Sequence, residues 1–350
     1  MNMDRRTFLK RAGAATGLAL LGGTAPSLVP DLAEAALHRQ GATALGTMAY
    51  QLSWLENVQF AGSYIAERRG YYRKAGLSAV QLLPGGPTTS VEPLVASGKA
   101  LVGSDSPDRA ANARAQGAPL KVIAACYQKS PYAILSLAKK PIRTPNEMVG
   151  KRIGLPAGDG PIWDAFLKLN KIDPTSITTV PVQSDPTPLA TGEVDGWVAF
   201  VTNEPIVLEL QGFAVHTFLL ADFGYHLFAD TYITTEQALR TERGKLKAFL
   251  IGEIEGWQVQ AARPEIGVDL AVTSFGKGLG LSKHQQTLEA AAQNTLLADA
   301  DTKAHGLLTM TEAKMAANVQ TLAEGGIKTS VAELFDPSLL HEIFDGRTVL

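Results

Sequence analysis

Residues 52–72, LSWLENVQFAGSYIAERRGYY, decide the fold, because an extended run gives way here to an amphipathic helix with aromatic and amide side chains at the join. Upstream, residues 48–54 alternate loosely in polarity, as a short half-buried strand does. Downstream, Phe60, Tyr64, Ile65 and Tyr72 recur near the helical period. Asn57 offers the short polar side chain of an N-cap, and Gly70 stands where a left-handed residue ends a helix. The next strand-like run begins at Leu77, so the first unit is strand, loop, helix, strand. In open α/β sheets ligands bind beyond the carboxyl ends of the strands, which makes Trp54, Glu56, Asn57 and Phe60 candidate contacts.

The alternation continues outward from this unit. Residues 84–87, Pro-Gly-Gly-Pro, read as a turn; residues 90–97 as a short helix; and residues 100–103 as a strand entering Ser104-Asp105-Ser106-Pro107-Asp108. Ser106 sits at that strand-to-helix join. A helix over 110–116 and an apolar strand over 120–127, ending at Tyr127, complete a pattern that implies a parallel sheet. The break at Lys129-Ser130-Pro131 is the expected first crossing into a second lobe. There a glycine-rich turn, residues 156–161, leads into a helix over 162–169 that carries Trp163. No Lys-Ser or Lys-Thr pair follows its glycines, so it is not a phosphate loop.

A strand over 197–201 runs into Thr202-Asn203-Glu204-Pro205, a polar trio before a helix-initiating proline. The loop at 222–228, DFGYHLF, carries Tyr225 and His226, and the short extended run 231–234 is expected to be the second crossing. From Glu242 onward the pattern is helical, with Leu246, Phe249, Leu250, Ile254 and Trp257 on one face. The expected organisation is one lobe from 45–130 and 240–350, and another from 131–239.

At 350 residues the chain can bury an ample core. A net charge of −2 lacks the basic surplus that nucleic acid or an anionic membrane requires. Residues 1–35 read as a twin-arginine export signal: Arg5-Arg6, then Phe8-Leu9-Lys10, an apolar Gly- and Ala-rich run over 12–23, and a cleavage candidate at Ala33-Glu34-Ala35. The single cysteine, Cys126, excludes an intramolecular disulfide, and no cysteine follows the signal to take a lipid. The expected product is an exported, soluble, monomeric periplasmic protein that meets the twin-arginine translocase on its way out.

None of the histidines has the spacing of a helical zinc pair, and there is no nucleophile elbow, Walker loop or dinucleotide fingerprint. No catalytic residue, metal ligand or cofactor motif is assigned. What the joins supply is stacking surface from Trp54, Phe60, Tyr127, Trp163 and Tyr225, and directional hydrogen bonds from Asn57, Asn203 and Glu204. Glu56, Asp105, Asp108, Asp159 and Glu204 are acidic there and Arg109 alone is basic, so a neutral or cationic donor-rich ligand fits better than an anion.

Leu52-Ser53-Trp54, Ala61-Gly62-Ser63-Tyr64, Gly70-Tyr71-Tyr72, Pro84-Gly85-Gly86 and Thr202-Asn203-Glu204-Pro205 carry a resemblance. They resemble the solute-binding proteins of ABC importers, in the branch that binds thiamine-pyrimidine precursors and related heterocycles and that also contains the fungal pyrimidine synthases. The resemblance implies a two-lobed type II periplasmic-binding-protein fold with a two-strand hinge, a small-molecule ligand between the lobes, and a partner permease. Phe60 stands where the synthases carry histidine, and residues 197–201, Trp-Val-Ala-Phe-Val, replace their cysteine-rich run, which points to binding rather than synthesis. Ser53 and Glu56 also depart from the precursor binders, which carry an aspartate before the tryptophan and a proline before the asparagine. Pyrimidine synthesis and the binding of a sulfonate or other small organic anion stay open as alternatives.

Overall fold

The computed structural model describes residues 44–86, 88–156 and 158–349. The export-signal reading of residues 1–35 therefore lies outside the described residues. Ten strands are found among the described residues: β1 Thr47–Gln51, β2 Ala79–Leu83, β3 Val102–Asp105, β4 Leu120–Tyr127, β5 Tyr132–Leu137, β6 Arg152–Pro156, β7 Thr178–Val182, β8 Gly196–Phe200, β9 Val215–Leu219 and β10 Ala229–Thr235. They form two five-stranded sheets of matching topology, ordered β2-β1-β3-β10-β4 and β7-β6-β8-β5-β9. Within each sheet four strands point the same way and one, β10 in the first and β5 in the second, runs antiparallel between its two neighbours. Parallel neighbours need a crossover, and helices such as Ala61–Arg69, between β1 and β2, supply it.

The join at residues 52–72 folds in two steps. Asn57 accepts a hydrogen bond from the backbone N–H of Gln59 at 3.0 Å, but the turn it caps, Val58–Phe60, is a 3₁₀ turn, and the α-helix starts at Ala61. Gly70, at φ 72°, ends that helix in the left-handed region. Helix Arg243–Ala262 crosses it backbone to backbone: a Cβ on Gly256 would stand 2.1 Å from the Gly62 carbonyl oxygen, and one on Gly62 would stand 2.3 Å from the Trp257 ring. Behind this crossing Glu253 is wholly buried, accepting from Ser63 at 3.0 Å, Tyr232 at 2.6 Å, Trp257 at 3.1 Å and Tyr72. Burial raises its pKa, while these four donors stabilise the charged form.

Two features depart from the sequence expectation. The run at 231–234 is part of β10, which lies in the first sheet between β3 and β4, so the chain returns to the first sheet before it and not beyond residue 239. Alternating apolar residues mark a strand but carry nothing about which sheet completes its ladder. The C-terminal helices also pack on more than the first lobe. Helix Lys283–Leu297 contacts helix Glu204–Leu210, and helix Glu312–Gly325 contacts helix Gly160–Leu169. One contiguous core accordingly runs from the first sheet through these helices to Ile153 and Phe166 of the second lobe. A smaller cluster around Trp197, Leu189 and Leu208 fills the other face of the second sheet.

Candidate functional site

A cleft of about 1010 Å³ opens between the two sheets, where the loops leaving their strands face each other. From the first lobe come Ser53, Trp54 and Asn57 after β1, Asp105 at the end of β3 and Ser106 following it. The loop after β1 is held by its neighbour. Gln51 Nε2 donates to the carbonyls of Leu83 at 3.2 Å and Pro84 at 3.1 Å, and Gly85 N–H donates to the Trp54 carbonyl at 3.0 Å. A Cβ on Gly85 would sit 2.4 Å from the Leu52 carbonyl oxygen, which explains why glycine occupies the Pro84-Gly85-Gly86 turn.

From the second lobe come Tyr132, Phe200, Thr202, Asn203 and Glu204. Phe200 packs edge-to-face on Tyr132, with ring centroids 4.7 Å apart at 86°. The Glu204 carboxyl turns back onto its own helix start, where its Oε2 accepts from the Phe200 N–H at 2.8 Å and its Oε1 from Asn203 Nδ2 at 3.3 Å. Burial pushes its pKa up to about 7 against the backbone N–H groups of Phe200 and Glu204, with the charges of Asp159 and Glu289 adding to the rise.

Two further carboxyls face the same space. Asp230 stands near the start of β10 at φ 44°, a left-handed conformation that few non-glycine residues adopt. Gln59 Nε2 donates to both its oxygens, at 2.9 and 3.0 Å, and burial pushes its pKa up to about 7. Glu289 accepts from the side-chain amides of Gln285 and Gln286, each at 2.7 Å, and is likewise pushed up to about 7 by burial. Gln286 in turn accepts from the Val58 N–H at 2.7 Å, which ties helix Lys283–Leu297 to the capped turn.

The charge balance of the cleft is one-sided. Among the described residues lining it, Glu92, Asp105, Asp159, Asp164, Glu204, Asp230 and Glu289 are acidic and only Arg109 is basic. That arginine is engaged, at 3.2 Å from Asp159 Oδ1 and 3.0 Å from the Gly158 carbonyl. No group of three or more His, Cys, Asp or Glu among the described residues is placed to hold a metal ion.

Of the residues singled out in the sequence, Trp54, Asn57, Ser106, Thr202, Asn203 and Glu204 line the cleft. Phe60, Tyr127, Trp163 and Tyr225 do not, and this corrects the reading of them as stacking surface. Phe60 turns inward from the 3₁₀ turn, Tyr127 lies in the core beside Asp230, Trp163 is on the buried face of its helix, and Tyr225 lies beside Asp108. Each is an aromatic ring close to a loop, and sequence proximity does not tell which side of the loop a ring falls on. The sequence reading missed Gln59, Tyr132, Phe200, Asp230 and Glu289. Asp230 had a signal, the only charged residue in the strand-like run 229–235.

Several known proteins are similar to this chain. Riboflavin-binding protein RibY of Chloroflexus aurantiacus is 27% identical over 301 residues, covering 79% of this chain and 80% of its own length. Formylaminopyrimidine-binding protein of Halalkalibacterium halodurans is 24% identical over 237 residues, covering 66% and 71%. The 4-amino-5-hydroxymethyl-2-methylpyrimidine phosphate synthase of Legionella pneumophila is 25% identical over 224 residues, covering 63% and 71%. Among solved structures, the periplasmic aliphatic sulphonate binding protein SsuA of Escherichia coli superposes with a TM-score of 0.61 at 15% identity, over 79% of this chain and 91% of its own. Its likeness shows the fold, a two-lobed periplasmic-binding-protein architecture. Because residues 57–266, more than half of the chain, match the family model described as NMT1/THI5 like, the protein belongs to that family.

Proposed function

We propose that this is an extracytoplasmic solute-binding protein that captures a small, neutral or cationic, nitrogen-bearing heteroaromatic compound between its lobes and delivers it to an ABC importer. The observation that carries this reading is the set of acceptors in the cleft. Glu204, Asp230 and Glu289 are buried carboxyls whose remaining lone pairs call for N–H or O–H donors, and the one arginine is already paired. A sulfonate or phosphate would meet carboxylates without a free cation to offset them. An amino- or imide-bearing ring would donate to them, and the faces of Trp54 and Phe200 supply apolar surface for it.

The relatives named for riboflavin and for formylaminopyrimidine support a planar nitrogen heterocycle as the ligand class. The thiamine-pyrimidine-precursor type is the smaller version of the same chemistry. The reading includes export through the twin-arginine route and a monomeric, lipid-free periplasmic protein, on the strength of the residues at 1–35 and of Cys126.

Synthesis on the same scaffold is favoured by the similarity to relatives that carry the synthase name, the Legionella protein among them. Against it, the single cysteine is buried in β4 and Phe60 is core. Calorimetric titration of the exported protein with riboflavin, formylaminopyrimidine and ethanesulfonate tests the proposal. Micromolar or tighter binding of one of the heterocycles, without turnover, is expected. Preference for ethanesulfonate overturns the heteroaromatic assignment.

A further inference from the structure

Building on the charge preference just proposed, we infer that Arg109 and Asp159 form an inter-lobe clasp that holds the cleft closed and, in the same contact, cancels the one positive charge facing it. Arg109 lies on helix Pro107–Ala115, which follows β3 of the first sheet. Asp159 precedes helix Gly160–Leu169, which follows β6 of the second. Fifty residues apart in sequence, they meet at 3.2 Å, and the same guanidinium nitrogen donates to the Gly158 carbonyl at 3.0 Å.

The contact is built rather than incidental. Tyr132, the first residue of β5 and therefore the first residue of the second sheet after the crossing, donates its hydroxyl to the same Asp159 oxygen at 2.9 Å. The strand that leaves the hinge thus orients the acceptor of the clasp. The Arg109 and Asp159 side chains are 29% and 13% exposed, so water screens their attraction less than it does in a surface pair. A Cβ on Gly158 would come within 3.1 Å of the guanidinium, so the backbone there gives the arginine room.

The consequence for specificity follows from what else lines the cleft. With no second Lys, Arg or His among its described residues, the one cation an anionic ligand could meet already has its charge opposed by Asp159, with Asp105 and Asp108 also acting on it. A planar guanidinium freed from Asp159 would present the bidentate donor fork that sulfonates and phosphates need. The clasp therefore acts as a negative selector as well as a closing contact.

Small-angle scattering of the ligand-free exported protein and calorimetry with ethanesulfonate test this. Asp159→Asn is expected to increase the radius of gyration and to bind ethanesulfonate at least about tenfold more tightly than the parent. Arg109→Gln breaks the pair from the other lobe and should open the protein equally without any anion gain, as should the double variant. Circular dichroism confirms that each variant is folded. Scattering unchanged in both single variants overturns the clasp. Ethanesulfonate affinity unchanged in Asp159→Asn, or retained in the double variant, overturns the charge masking. Failure of riboflavin and formylaminopyrimidine to bind the parent would remove the proposed function but leave the scattering result to decide the clasp.

Discussion

The Gln59 side-chain amide donates to both oxygens of Asp230, at 2.9 and 3.0 Å, joining the capped turn after β1 to the strand that re-enters the first sheet. This pairing fixes the carboxyl in place on the cleft wall. Asn tolerates the left-handed conformation that residue 230 adopts, so Asp230→Asn should fold. It is expected to weaken binding of an amino- or imide-bearing heterocycle by about 10- to 100-fold, since a hydrogen bond to a charged acceptor contributes about 1.5 to 3 kcal/mol and 1.4 kcal/mol is tenfold. Calorimetry checks it, and unchanged affinity would place Asp230 outside the ligand contacts.

A pH dependence follows from the same carboxyls. Glu204, Asp230 and Glu289 are all pushed up to about 7 in the folded protein, whereas in the unfolded chain they titrate near the ordinary carboxylate range. Between about pH 4 and pH 7 the native state therefore binds more protons, so stability falls as pH rises through that window. The melting temperature of the ligand-free protein should decline from pH 5 to pH 8. The double variant Glu204→Gln, Asp230→Asn should flatten that slope; an equally steep slope would mean other groups set it.

Trp54 and Phe60 separate site from core. Trp54 is half-buried on the cleft wall, and Trp54→Ala should lower ligand affinity, the stacking face being worth about 0.5 to 1.5 kcal/mol beyond area burial, with a small change in melting temperature. Phe60 is 2% exposed, and Phe60→Ala should cost about 3 to 5 kcal/mol of stability by leaving a cavity. Denaturant unfolding and calorimetry on both variants read the difference. The reverse pattern would mean that the ring at 54 is structural.

Gly256→Ala probes the crossing of helices Ala61–Arg69 and Arg243–Ala262. The added methyl would stand 2.1 Å from the Gly62 carbonyl oxygen, so the helices must separate. Overpacking of this kind typically costs about 1 to 3 kcal/mol, which chemical denaturation measures. Gly192→Ala, where a Cβ meets nothing within 4 Å but φ is 83°, isolates backbone strain from crowding.

Export is tested at the sequence level. If the proposed twin-arginine route holds, replacing Arg5 and Arg6 together by lysine should leave precursor in the cytoplasm, because a twin-arginine address is read by a receptor. Immunoblots of fractionated cells show it, and normal export of the variant would point to the general secretory route.

The sequence by itself determined the alternation of strands and helices, the joins that matter and their acidic character. Local rules suffice for these: Asn57 caps because its side chain reaches the N–H two residues on, Gly70 ends a helix because it tolerates φ 72°, and Thr202-Asn203-Glu204-Pro205 starts one because proline at the first turn needs no partner. Only the tertiary structure decided which sheet receives residues 229–235, because a strand's ladder partners are non-local and its own alternation is the same in either sheet. It also decided that Phe60, Tyr127, Trp163 and Tyr225 fall inward while Tyr132 and Phe200 reach the cleft, since aromatic rings serve core and ligand equally well. The convergence of Gln59 with Asp230, and of Arg109 with Asp159, joins residues 171 and 50 positions apart, and no spacing along the chain encodes such distances.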